Sequence, residues 1–135
     1  MDNSQNIIIE KIKEILRKKK EILFAFLFGS SLKLENPNDI DIGVFVKEKD
    51  IDEESAFDYS LSLSSELSYE LDRELDVSIM NYASLGLLKN IIQGELLFAQ
   101  NQQFVEDYIE RKSFEYMEYY ELSKVFLRDV LIDRY

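Results

Sequence analysis

Asp39 and Asp41, separated by one residue from each other and by eight from the Gly29–Ser30 pair, are the chemically most suggestive residues of the chain. Asp39–Val46 alternates with a period of two. As a strand it sends both carboxylates to one face and Ile40, Ile42, Val44 and Val46 to the other. Neighbouring carboxylates repel each other, so a cation is expected between them. The chain has neither histidine nor cysteine. An all-oxygen site of this kind selects Mg²⁺ or Mn²⁺ over zinc.

The upstream residues complete the picture. Ile22–Phe28 is an uninterrupted apolar run, the mark of a buried strand, and it stops abruptly at Gly29, Ser30 and Ser31. Small residues suit a tight turn from strand to helix. The first N–H groups of that helix lack partners and carry the positive end of its dipole, and glycine lets an anion approach the main chain. A phosphate cradle beside a magnesium site implies nucleoside triphosphate chemistry.

With Gly29, Ser30, Asp39 and Asp41 in this order, the chain resembles the DNA polymerase β-like nucleotidyltransferases, and its short length resembles their minimal (MNT) group. The resemblance implies a third carboxylate on a later strand. In segment 74–80, Leu75, Val77 and Ile79 form an apolar face and Asp76 lies opposite, which makes Asp76 the matching residue. Lys33 falls near the family's basic, phosphate-touching position. The loop from Ser30 to Asp39 is shorter than is usual in the family and has no glycine.

Around these residues the chain reads as alternating helix and strand. Ile8, Ile12, Ile15 and Leu16 recur at helical spacing after a polar start. A short helix is expected from Ser30, then a turn at Asn36, Pro37 and Asn38 before the aspartate strand. Segment 53–72 carries Ala56, Tyr59, Leu63, Leu67 and Leu71 on one stripe, although its serines weaken intrinsic helix propensity. A helix over 84–93 closed by Gly94, and a strand at Glu95–Ala99, follow. Segment 101–135 reads as helical throughout. Phe104, Tyr108 and Ile109 can cover the sheet, whereas Tyr116, Tyr119, Tyr120, Leu122, Val125 and Phe126 spread around the helix, and Tyr135 ends it. Part of that surface is expected to meet another chain. The fold class that results is α/β, a small mixed sheet flanked by helices with a long C-terminal helix. The expectation is one domain over 1–135, with a core at about 5–110.

Composition narrows the functions available. The 135 residues carry a formal net charge of −11 and are 46% hydrophobic. So acidic a chain lacks the basic footprint that displaces phosphate counterions, which disfavours direct nucleic-acid binding and long templates. Its basic cluster, 17–20, closes the first helix, where cations complement the dipole. No apolar stretch is long enough to span a bilayer. Without cysteine, disulfides and thiolate chemistry are excluded, which fits a reducing cytoplasm.

Relatives of this size resemble the antitoxin half of HEPN/MNT toxin–antitoxin pairs. That resemblance implies transfer of AMP from ATP to a tyrosine of a HEPN ribonuclease toxin, with two Mg²⁺ ions held by Asp39, Asp41 and Asp76. Gly29, Ser30, Ser31 and Lys33 would hold the phosphates. Two alternatives stay open: a small-molecule nucleotidyltransferase of the aminoglycoside-modifying type, and a non-catalytic antitoxin that covers its toxin through the aromatic helix.

Overall fold

The structure is a computed structural model that describes residues 3–29, 39–126 and 128. Its elements run α1 (Asn3–Arg17), β1 (Ile22–Phe28), β2 (Asp39–Val46), α2 (Glu53–Leu71), β3 (Glu74–Ile79), α3 (Leu85–Ile92), β4 (Glu95–Ala99) and α4 (Gln102–Phe126). Short 3₁₀ turns occur at Glu48–Asp50 and Met80–Tyr82. The strands form one mixed sheet in the order β3-β2-β1-β4. Strand β1 runs antiparallel to β2 and β4, and β2 runs parallel to β3. The helix expected from Ser30, the turn at Asn36, Pro37 and Asn38, the side chain of Phe126, and Tyr135 lie outside the described residues.

Both faces of the sheet are covered, which is why β1 is apolar without interruption. Ala25 and Leu27 of β1 join Ile40, Ile42 and Val44 of β2 in a layer completed by Ile12 and Leu16 of α1 and Leu63 and Leu67 of α2. Phe24, Phe26 and Phe28 point the other way, into a layer with Phe45, Leu88 and Ile91 of α3, and Val105 and Tyr108 of α4. Phe24 stacks on Phe45 with centroids 5.0 Å apart, and Tyr108 packs at 5.1 Å from each ring. Each large side chain so buried contributes roughly 1.5–3 kcal/mol.

Helix α2 is set by its cap and by its serines. Asp52 accepts a hydrogen bond from the Ser55 N–H at 2.8 Å, and the Ser55 hydroxyl accepts from the Asp52 N–H at 3.0 Å, a reciprocal capping box. At its far end Asp72 adopts a left-handed conformation, φ 50°, that closes the helix. The serines that weaken helix propensity serve the neighbouring edge strand. Ser68 Oγ accepts from the Leu75 N–H at 3.0 Å, and Ser64 Oγ accepts from the Val77 N–H at 2.9 Å.

Gly94 ends α3 for a different reason than left-handed capping. It follows Gln93, a right-handed cap residue, and among the described glycines Gly29 alone has positive φ. A Cβ at Gly94 would lie 2.1 Å from the Leu27 carbonyl oxygen, so glycine is required by the close approach of this turn to β1. No described helix is long and apolar enough to cross a membrane.

Candidate active site

The candidate site residues meet at one end of the sheet, where β1 finishes and β2 and β3 begin. Antiparallel pairing sets Phe28 of β1 opposite Asp41, and parallel pairing sets Asp41 opposite Asp76 and Asp39 opposite Glu74. The two aspartate strands thereby carry their carboxylates on one face, the face that α3 and α4 cover further along. Along β2 that face reads Asp39, Asp41, Gly43, Phe45. At Gly43 a Cβ would come within 2.7 Å of Ile91 Cγ2, so α3 lies directly on the strand there. Asp39 is exposed and Asp41 half-buried, while Gly43 and Phe45 are buried. Among the described residues, α3 and α4 pack at Gly43 and Phe45 rather than on the carboxylates.

Gly29 follows the last residue of β1 with φ +75°, a conformation that suits glycine. A Cβ there would stand 2.7 Å from Asp41 Oδ2. The glycine turn and the inner carboxylate are therefore in direct contact. The Asp41 carboxyl is pushed above the usual carboxylate value by burial first, then by the charges of Asp76 and Asp39. The three side chains thus share one electrostatic field.

Asp39, Asp41, Asp76 and Gly29 come together as the sequence suggests, while Ser30, Ser31 and Lys33 lie outside the described residues. Glu74 is an acidic group that the motif reading passed over. Its place two residues before Asp76 put it on the same face, but only the parallel register reveals that it stands opposite Asp39. Among the described residues no three acidic, histidine or cysteine side chains converge tightly enough to enclose a metal ion. The donor set nevertheless fits a hard divalent cation. It consists of carboxylate oxygens alone, and burial, with the charges of Asp76 and Asp39, raises the proton affinity of Asp41, a penalty that a bound cation would offset.

A four-stranded mixed sheet flanked by helices, with paired carboxylates and a glycine turn at one end, is a nucleotidyltransferase fold. Residues 10–103 match the family described as polymerase beta nucleotidyltransferase, and the chain belongs to that family. No curated protein matches its sequence significantly. The fold is shared with solved toxin–antitoxin complexes. A chain of the tri-AMPylated Shewanella oneidensis HEPN toxin in complex with MNT antitoxin superposes with TM-score 0.72 at 23% identity, covering 94% of this chain and 98% of that one. A mutant of the toxin–antitoxin MntA–HpeT gives TM-score 0.72 at 24% identity, covering 91% and 98%. A toxin–antitoxin structure with AMP-PNP gives 0.66 at 22% identity, covering 93% and 96%.

Proposed function

We propose that this protein is a minimal, metal-dependent nucleotidyltransferase that serves as an antitoxin, transferring AMP from ATP to a tyrosine of a HEPN-family toxin. The observation that carries the reading is the register that sets Asp41 opposite Asp76, beside Gly29, at one end of the sheet. Family membership supports nucleotidyl transfer, and the AMPylated toxin and AMP-PNP in the similar structures support ATP and a toxin as substrates.

Asp39, Asp41 and Asp76 would hold Mg²⁺. Bound there, the metal would offset the charge of the triphosphate and lower the pKa of the acceptor hydroxyl. Gly29, with no side chain, admits the phosphates next to Asp41, and Ser30, Ser31 and Lys33 are proposed to hold them. The tyrosine oxygen attacks the α-phosphorus, the bond to the β-phosphate oxygen breaks, and pyrophosphate leaves. The phenolic proton passes to the Asp76 carboxylate, which stands exposed at the edge of the site. The domain is proposed to span the whole chain, with α4 extended from its core for contact with the toxin. Tyr119 and Leu122 of α4, 60% and 69% exposed, support that contact.

The test is to incubate the protein with ATP, Mg²⁺ and the toxin encoded beside it, then weigh the toxin intact. Mass increments of AMP on a tyrosine, absent when Asp39 and Asp41 are both replaced by Asn, are the expected result. Neutralisation of the toxin in a tight complex with no mass change would overturn the catalytic reading in favour of steric cover.

A further inference from the structure

A cavity of about 490 Å³ lies between the 3₁₀ turn at Met80–Tyr82, α3 and α4, within the size range of small-molecule sites. Phe45, Met80, Leu85 and Leu88 give it apolar walls, and Tyr108 and Arg111 supply polar groups. It is remote from the carboxylates. Phe45 is four residues along β2 from Asp41, about 13 Å at the rise of a strand, and α3 rests on Gly43 between them.

Two polar residues lining this cavity lack a polar partner among the described residues. Tyr108 is 2% exposed, yet its hydroxyl makes no hydrogen bond among the described residues. Leaving such a hydroxyl unpaired is destabilising, and exceptions of this kind call for a reason. Beside it, the Arg111 guanidinium lies 5.9 Å from the Tyr108 ring centroid. Lys112 is paired with Glu115 at 3.1 Å, whereas Arg111 has no ion pair among the described residues. Glu48 and Glu115 also line the cavity and oppose a multiply charged ligand.

We propose that this cavity binds a small, singly charged organic anion, whose flat apolar body lies against Phe45, Met80 and Leu88. Its carboxylate or sulfonate pairs with Arg111 and accepts a hydrogen bond from the Tyr108 hydroxyl. The site is separate from the one that handles ATP and does not depend on the activity proposed above.

The probe is 8-anilinonaphthalene-1-sulfonate, titrated by fluorescence into the full chain, with uncharged N-phenyl-1-naphthylamine as its counterpart. The sulfonate should bind saturably at one site, at least tenfold more tightly than the neutral compound. Tyr108→Phe and Arg111→Gln should each weaken it about tenfold or more. Without probe, Tyr108→Phe should melt higher than the parent, since it removes a buried hydroxyl that lacks a partner; stability and affinity then move in opposite directions. Replacing Tyr119 and Leu122 by Ser should leave the titration unchanged, which separates the cavity from the exposed face of α4. Binding indifferent to both cavity variants, equal binding of the neutral compound, or displacement by ATP would each overturn the proposal.

Discussion

Replacing Gly29 by alanine separates what the turn does for the fold from what it does for the site. The residue stands at φ +75°, where an L-residue costs about 1–2 kcal/mol relative to glycine. For a domain of this size that corresponds to a fall in Tm of roughly 3–10 °C. The added Cβ would also lie 2.7 Å from Asp41 Oδ2, against ordinary contact at 3.4 Å or more, so the carboxylate must retreat by about 0.7 Å. Rotation of a half-buried aspartate can supply that distance without unfolding the strand. Displacements approaching 1 Å in a reacting geometry cost on the order of 10²-fold in rate. The expected Gly29→Ala phenotype is therefore a folded, modestly destabilised protein whose single-turnover transfer to the toxin falls about 100-fold. Circular dichroism melts and quench-flow with labelled ATP measure the two effects separately. Transfer at the parental rate would refute the placement of this turn in the site, and an unchanged Tm would refute the backbone argument.

Asp41→Asn should abolish transfer and, in metal-free buffer, raise Tm, because it removes a carboxylate that burial and the charges of Asp76 and Asp39 disfavour. The sign with pH follows from the raised folded-state value: the penalty is full above it and vanishes below the unfolded value near 3.8, so melts of parent and variant should converge as pH falls to about 3.5. Asp76→Ala should lose transfer while calorimetry still detects ATP, since Asp39, Asp41 and Gly29 are untouched; loss of both would mark Asp76 as structural. Ser64→Ala and Ser68→Ala should each lower stability to urea by about 1 kcal/mol, or up to about 3 where the strand N–H is left unpaired, with midpoints unchanged if the edge bonds contribute nothing. Replacing Tyr119 and Leu122 by Ser should weaken toxin binding at least tenfold with no change in Tm; unaltered binding would remove this face of α4 from the interface.

The alternation of Asp39–Val46 carries its own message, because a period of two assigns faces without any knowledge of neighbours, and the uninterrupted run Ile22–Phe28 reads as a buried strand. Asp76 was legible through the same periodicity, once the family resemblance called for a third carboxylate. Sheet register is not local. That Asp41 faces Asp76 and Asp39 faces Glu74 depends on the parallel pairing of strands separated by the whole of α2. The same holds for the carboxylate face of β2, which turns apolar at Gly43 and Phe45 because α3 and α4 pack there. Gly94 shows the limit on a single residue. Its position after a helix suggested a cap, and its cause is the Leu27 carbonyl oxygen, which only the folded chain brings near. The serines of α2 likewise read as poor helix formers until Leu75 and Val77 stand beside them.

Strand β3 carries Asp76 and is an edge of the sheet, the kind of border along which a foreign polypeptide can lie down and extend the hydrogen-bonded ladder. The hydroxyls of Ser64 and Ser68 already occupy the outward amides of Val77 and Leu75, and Ser68 Oγ also lies 3.4 Å from the Leu75 carbonyl oxygen. Among the described residues, the outward amides on either side of Asp76 are thus already taken. If the proposed transfer to a tyrosine holds, that tyrosine would arrive tip first, carried by its own scaffold rather than by main-chain pairing. Recognition of such an acceptor would then fall to surfaces away from the reacting atoms, and the sequence immediately around its tyrosine would be free to vary so long as the side chain can reach.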